Sequence, residues 1–589
     1  MTNVVTLSFV ALQLVCGDPG SWRFASEARS LEPGVEELTV VLENAAEAVP
    51  PEFEVAWSLP QRDIPHFWNV AAGGDCGIPP DWGGDCVSSL THCAPVYALF
   101  SAANENRLAT AADDARRTVR FKAELREESC MVECSWRFFT EKTASSRKET
   151  VRIRFDTRKV FWSDAVRDAS DWIVKIAGYV PLAVPDAARA PLYSAWYAFH
   201  RGVNAKDIEE ECAVAASIGM KTLIVDDGWQ KDDSGRGYDS CGDWEMSKAK
   251  FPDMAAHVRR VHALGMKYMI WYAVPLVGVN AKAASVFRGK FLREPKKGAA
   301  GVLDPRFPEV REYLAGRFEK ALREWDLDGL KLDFIDSFGS DPGVPEAVDA
   351  LMTDVARRLK AIKPEVLIEF RQSYVGPAIR TYGNMLRVSD CPGNVDRNRT
   401  GTAWLRLTSG DAAVHSDMLE WHPTDTAENA ARFVLSAIFG TVQYSMMLRR
   451  LPTDHLRMLR HWIEFSEAHK PALQLSDFKV PYPQLGVPFL VGEASAERVI
   501  GVYCPDLTVD TGAPDRKVLV LNATQRRRLT LRLAKPCVIV AFDTFGRETG
   551  RASVKAAGLY DADCPASGYL EIVFGSFASN TPHFTALAH

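Results

Sequence analysis

The chain is poor in several features that would have assigned it quickly. Twelve cysteines in 589 residues are too few for a disulfide scaffold, and no Cys-x-x-Cys pair occurs. Cys130 and Cys134 lie close together, yet no second Cys or His pair stands nearby to complete a zinc site. The cysteines therefore read as structural thiols of a reducing compartment. No apolar run reaches the ~18 residues needed to span a bilayer, so no membrane partner is expected. Residues 4–16 are apolar enough to suggest an export signal, and Leu14-Val15-Cys16 resembles a lipoprotein cleavage site. However, no Lys or Arg precedes the stretch, and Thr6, Ser8 and Gln13 interrupt it. A first β-strand and a cytoplasmic location are the expectation. The basic run Arg526-Arg527-Arg528 gives way at once to alternating apolar residues, the pattern of a strand's wet face. With a net charge of -6 spread along the chain, no nucleic-acid partner is expected. Repeats, low-complexity tracts and glycine-rich phosphate turns after a strand are all missing.

What is present is a folded protein's composition, 47% hydrophobic and 25% charged, in a chain long enough for several domains. Residues 1–162 show short alternating runs, among them 37–42, 117–123 and 151–155, separated by turn signals such as Gly73-Gly74 and Pro79-Pro80. This predicts an N-terminal antiparallel β-sandwich. A helical linker is expected over 163–189, with Val166, Trp172, Ile173 and Ile176 on its apolar side. From 190 to 475 the texture changes. Strand-like runs at 192–197, 221–226, 267–275, 328–335, 365–371, 384–390, 412–419 and 441–448 alternate with amphipathic stretches at 205–219, 254–265, 308–324 and 344–363. Eight such alternations predict a central (β/α)8 TIM barrel. Residues 476–589 return to strand texture and predict a small C-terminal antiparallel β-domain.

Barrels of this kind carry their chemistry at the C-terminal ends of the strands, and acids stand there. Asp226-Asp227-Gly228-Trp229 closes the second run. Leu330-Lys331-Leu332-Asp333 puts Lys331 and Asp333 on one face of the fourth, because side chains alternate along a strand. Leu386-Arg387-Val388-Ser389-Asp390 closes the sixth. An apolar strand ending in a bare carboxylate is costly unless the charge is paired or used. Lys331 would hold Asp333 ionised, as a nucleophile requires. Asp390, two strands on, could face it across the barrel mouth, and a nucleophile opposite a proton donor is the equipment of retaining glycoside hydrolysis. Trp196, Trp229, Trp244 and Trp271 at strand ends offer apolar walls for sugar rings. Blander readings stand beside these. A single Asp at a strand end is more often a helix cap or a loop ion pair, and Asp227 before Gly228 can simply begin a turn. Trp68, Trp172 and Trp462 are assigned to the core. His415 and His422, flanking Asp417 and Trp421, match no standard metal spacing and are read as packing or pocket-wall residues.

The ordered series Asp226-Asp227-Gly228-Trp229, Gly242-Asp243-Trp244, Phe251-Pro252, Gly265-Met266, Ile270-Trp271, Val302-Leu303-Asp304, Lys331-Leu332-Asp333 and Arg387-Val388-Ser389-Asp390 resembles glycoside hydrolase family 36. That family contains α-galactosidases, α-N-acetylgalactosaminidases and raffinose synthases. The resemblance implies Asp333 as nucleophile and Asp390 as acid/base. It implies Asp226 and Asp227 on the 4- and 6-hydroxyls of a galacto-configured sugar, Lys331 and Arg387 on ring hydroxyls, and Trp196 and Trp271 lining the pocket, with Trp229 beside them. No metal or organic cofactor is implied.

The sequence departs from the family after the fifth strand. There many members carry a Cys-Ser-Gly-Gly-Gly-like loop near the sugar's 2-position, and this chain has Phe370-Arg371-Gln372-Ser373-Tyr374, which makes Arg371 a further substrate-binding candidate. Tyr272-Ala273-Val274-Pro275 lacks the paired glutamates common after the third strand, and the N-terminal sandwich is shorter than in the large members. The expected activity is a retaining α-galactosidase acting on oligosaccharides or glycoconjugates. α-N-Acetylgalactosaminidase and raffinose-synthase-like transglycosylase activities on the same fold stay open, as does a homo-oligomer. A carbohydrate-binding protein without catalysis is the alternative from another class, and the intact Asp333 and Asp390 argue against it.

Overall fold

Alternating apolar residues in the first 160 positions bury one face of strands such as Phe53–Pro60 and Val119–Arg126, and two antiparallel six-stranded sheets result. These are features of a computed structural model that describes residues 1–575 apart from 73, 75, 142, 233–234 and 513–514. Gly73 of the expected turn and residues 576–589 of the expected C-terminal domain lie outside the described residues. One sheet runs Thr2–Thr6, Ala11–Val15, Phe53–Pro60, Met131–Phe138, Val119–Arg126, Cys86–Ser88. The other runs Arg23–Glu32, Val35–Ala48, Ser146–Asp156, Asn106–Ala112, Val96–Phe100, His66–Asn69. The apolar stretch weighed as an export signal forms the hairpin Thr2–Thr6 and Ala11–Val15. Among the described residues no helix is long and apolar enough to cross a membrane.

Helix Trp162–Ala177 ends at Gly178, whose φ of 68° closes the last turn in a left-handed conformation. It is more than a linker. Trp162, Val166, Ala169 and Ile173 are buried, and the Trp162 ring stacks on Phe100 at 4.7 Å. Its Nε1 donates to the Val480 carbonyl at 3.0 Å. The helix therefore ties the first sheets to the C-terminal part, and one continuous apolar core runs from Leu7 to Tyr569. Trp68, Trp172 and Trp462 are buried in it.

All eight expected barrel strands form, as one parallel sheet: Leu192–Ser194, Thr222–Val225, Lys267–Ala273, Gly329–Asp333, Leu367–Arg371, Met385–Arg387, Ala413–His415 and Gln443–Tyr444. Pairing of Leu192 with Gln443 and a bridge from His415 to Thr441 bring the ends of the sheet together. Helices Ala205–Ser217, Met254–Ala263, Pro308–Trp325 and Val344–Ile362 stand where the 3.6-residue pattern puts them. The first strand stops at Ser194, short of the expected 197. The Ser445 hydroxyl accepts the N–H groups of Tyr197 and Ala198 and starts a short helix, Trp196–Phe199.

Beyond the barrel, a seven-stranded sheet packs with a three-stranded one. Most pairings are antiparallel, but Glu497–Val502 runs parallel to Lys517–Asn522, and Val509–Asp510 runs parallel to Arg528–Leu533. Arg526, Arg527 and Arg528 are exposed, and Arg528 pairs with Asp563 at 3.2 Å, so the basic run is a solvated strand edge.

Candidate active site

The parallel register sets the site. Ala273 pairs with Asp333, Lys331 with Glu369, Arg371 with Arg387, and Arg387 with His415. Strand alternation then brings Asp333, Arg371 and Arg387 to adjacent positions at the C-terminal rim.

Asp333 is held by four groups. Its Oδ1 accepts from the Phe334 N–H at 2.8 Å, the Tyr374 hydroxyl at 3.0 Å and Arg371 Nε at 2.5 Å. Its Oδ2 accepts from Trp271 Nε1 at 3.0 Å. Phe334 takes φ +64°, a left-handed conformation rare in a bulky residue, and that turn aims its N–H back at the carboxylate. Burial alone would push the Asp333 carboxyl up, but Arg371 first and Lys331 next, with the Trp271 hydrogen bond, bring it down to about 2. Lys331, expected to hold Asp333 ionised, does so from a distance and second to Arg371. Lys331 Nζ lies 2.6 Å from Asp226 Oδ2, across two strands, and the cation in contact with Asp333 is Arg371.

Asp226 also accepts the Asp227 N–H at 2.8 Å. Asp227 accepts from Gln230 Nε2 at 2.6 Å and pairs with Arg201 at 3.4 Å. Burial nevertheless raises its carboxyl. The turn that presents both acids needs glycine at 228, where φ is +116° and a Cβ would sit 2.6 Å from the Arg201 Cα. Arg387, buried at the bottom of the mouth, is shared among three carboxylates. It donates to Asp417 Oδ1 and, at 2.8 Å, to Asp390 Oδ1, and it lies 3.7 Å from Glu369. Asp390 does not end the sixth strand as expected. It stands three residues past it on a loop, with its side chain 57% exposed. Burial of its inner part raises its carboxyl, and Arg387 and Lys331 outweigh that, so the net shift is down.

The wall residues divide. Trp271 meets Asp333 directly. Trp196 is half-buried, with its ring 4.7 Å from that of His200, and His200 is within electrostatic reach of Asp226. Trp229 is corrected. It is fully buried at 0% exposure, packed among Trp244, Tyr272 and Trp325. Its Nε1 donates to the Trp271 carbonyl at 2.9 Å, so it braces Trp271 from behind and has no surface to offer a ligand. His415 is buried, within 2.7 Å of the Ala188 carbonyl. Among the described residues no His, Cys, Asp or Glu side chains gather as a metal site.

Four residues of the site carry no role in the sequence analysis. Tyr374 contacts Asp333. Glu369 lies two residues before Arg371 on the same strand, and its carboxyl is raised by burial. Asp417 anchors Arg387, accepts the Cys391 N–H at 2.6 Å and the Tyr197 hydroxyl at 2.9 Å, and its carboxyl is also raised by burial. Tyr197 is the fourth. Strand alternation from Arg371 could have found Glu369, but no local signal marks the other three. A cavity of about 940 Å³ adjoins the mouth, lined by Gln372, Ser373, Val388, Ser389, Trp404 and Tyr503 among others. It borders the residues just after Arg371 and just before Asp390.

A parallel barrel whose strand ends carry carboxylates bound to buried cations defines the class. A family model described as Melibiase matches residues 177–476, about half of the chain, and the chain belongs to the Melibiase family. It is 29% identical over 316 residues to the alpha-galactosidase AgaA of Geobacillus stearothermophilus, covering 50% of this chain and 43% of that protein. It is 25% identical over 295 residues to the bifunctional alpha-galactosidase/sucrose kinase AgaSK of Mediterraneibacter gnavus, covering 47% of this chain and 31% of that protein. These matches span less than half the length of the two relatives. The crystal structure of the alpha-galactosidase from Lactobacillus brevis shares the fold, with a TM-score of 0.66 at 14% identity over 98% of this chain and 83% of that one.

Proposed function

We propose that this protein is a glycoside hydrolase, a retaining α-galactosidase that removes terminal α-linked galactose by double displacement. The observation that carries the reading is the pair of carboxylates at the mouth. Asp333 is ionised and fixed by hydrogen bonds to both of its oxygens, and Asp390 stands exposed on the loop after the sixth strand. The names of the relatives, both alpha-galactosidases, support the galactosidase part of the reading.

In the first step Asp333 attacks the anomeric carbon as Asp390 gives its proton to the departing oxygen. In the second, water attacks that carbon, Asp390 takes the water's proton, and the bond to Asp333 breaks. Asp390 must be protonated for the first step. Arg387 opposes this in the free protein, and a sugar seated over the loop would exclude water and weaken that opposition by favouring the neutral acid. Asp226 and Asp227 would accept from the 4- and 6-hydroxyls, and Lys331 and Arg387 would donate to other ring hydroxyls. Trp271 and Trp196 would pack on apolar ring faces, and the adjoining cavity would hold the leaving group. Position 2 of a pyranose lies on the side of the ring away from position 5 and its 6-hydroxymethyl. With that end on the second strand, position 2 meets Arg371 and Tyr374, whose bulk favours a 2-hydroxyl over a 2-acetamido group.

The test is turnover of aryl α-galactoside, α-N-acetylgalactosaminide and α-glucoside by the natural protein and by Asp333→Asn, both shown to be folded. The galactoside should be hydrolysed with retention, with activity at least ~10³-fold lower in the variant. No turnover of any of the three refutes the hydrolase reading, and preference for the N-acetylgalactosaminide refutes the assignment at position 2.

A further inference from the structure

The two oxygens of Asp333 are not equivalent. Oδ1 is saturated by Phe334 N–H, the Tyr374 hydroxyl and Arg371 Nε, whereas Oδ2 accepts from Trp271 alone among the described residues. Arg371 is itself confined. Its guanidinium lies over the rings of Phe334 at 5.2 Å and Tyr374 at 5.7 Å, and its Nη1 donates to the Gln372 carbonyl at 3.1 Å. The Arg371 side chain is mostly buried, and its other carboxylate neighbour, Asp336, is 3.8 Å away. An arginine stacked in this way loses little further freedom when it forms its ion pair.

Resting on the reading of Asp333 as nucleophile, we propose that Arg371 is a positioning residue that makes Oδ2 the attacking oxygen and speeds release of the sugar from Asp333. In the first step an electron pair of Oδ2 forms the bond to the anomeric carbon, the bond from that carbon to the leaving oxygen breaks, and that oxygen takes the Asp390 proton. The carboxylate gives up negative charge in this step, and Arg371 opposes it. In the second step water attacks the same carbon, its proton passes to Asp390, and the carbon–Oδ2 bond breaks with its electron pair returning to Asp333. Negative charge reappears 2.5 Å from Arg371 at its partner oxygen, and the cation stabilises it as it forms. Arg371 thus slows formation of the covalent intermediate, speeds its breakdown, and keeps it from accumulating. A 2-hydroxyl beside this clamp would find Arg371 Nε and the Tyr374 hydroxyl already committed to Asp333, so Arg371 acts on the nucleophile ahead of the substrate.

Arg371→Met removes the charge at similar volume, Arg371→Lys keeps it, and Tyr374→Phe removes one Oδ1 donor with the cation in place. With an aryl α-galactoside carrying an activated leaving group, the natural protein should release phenol without a burst. Arg371→Met should show a burst of about one equivalent per site, with kcat and KM falling together and azide restoring turnover. Its acid limb of kcat/KM should move up by about 1–3 pH units, the effect of losing an adjacent cation. Arg371→Lys should reverse most of this, and Tyr374→Phe should shift the same quantities less far, which supplies the test if the Met variant does not fold. Failure of an activated fluorosugar to label Asp333 overturns the nucleophile assignment and this proposal with it. A labelled Asp333 combined with burst-free kinetics and an unmoved acid limb in the folded variants overturns the clamp alone.

Discussion

Replacing Arg387 by Met tests the electrostatic account of the site most severely. Methionine keeps most of the buried apolar volume and removes a cation that is 1% exposed and touches Asp417, Asp390 and Glu369. Among the described residues Asp417 then retains its Cys391, Tyr197 and backbone hydrogen bonds. Breaking a buried ion pair by removing one partner costs about 3–5 kcal/mol, because the other charge stays desolvated. The sign of the pH dependence follows from burial, which has already raised both the Asp417 and Glu369 carboxyls. Groups with folded-state values above the unfolded ones bind extra protons in the folded state, so their destabilising effect is absent below the ordinary carboxylate range of ~4 and grows as pH rises. Losing Arg387 raises them further. The stability gap between the two proteins, measured by chemical denaturation, should therefore be small near pH 4–5 and largest near pH 8. Asp390 loses its main depressing partner at the same time, so the basic limb of kcat/KM should move to higher pH in whatever activity survives. A gap below ~1 kcal/mol at neutral pH, or one that does not change with pH, would refute the reasoning.

Two further substitutions separate support from contact. Trp229→Ala should destabilise the protein by about 3–5 kcal/mol, as loss of a fully buried aromatic does, while KM for the galactoside stays nearly unchanged at temperatures where the variant is folded. A KM increase matching that of Trp271→Ala would return Trp229 to the pocket wall. Gly228→Ala places a Cβ against the Arg201 backbone at a φ of +116°. It should cost more than ~1 kcal/mol and lower galactoside affinity by displacing Asp226 and Asp227, which isothermal titration with galactose would read.

The barrel was legible because its strands and helices have different periods, and eight strands between Leu192 and Tyr444 are set apart mostly by helices. Strand ends were less clear. The expected 384–390 run stops at Arg387, since the loop that follows is held by Asp417 at the Cys391 N–H and by the Gln372 carbonyl at the Ser389 hydroxyl. Those partners lie far along the chain, and no local pattern announces them. Trp229 was misread for a related reason. Its place at a strand end is local information, while its burial depends on Trp325 arriving from helix Pro308–Trp325, some ninety residues on.

Alternation along the fourth strand was enough to put Lys331 and Asp333 on one face, and the spacing of acids was enough to mark the second, fourth and sixth strand ends as the candidate site. Which cation meets which carboxylate was a tertiary decision. Strand order and register bring Asp226 to Lys331 and set Arg371 beside Asp333. Periodicity gives each side chain a face, but an ion pair also needs a partner within about 4 Å, and only the closed sheet determines which side chains come that near.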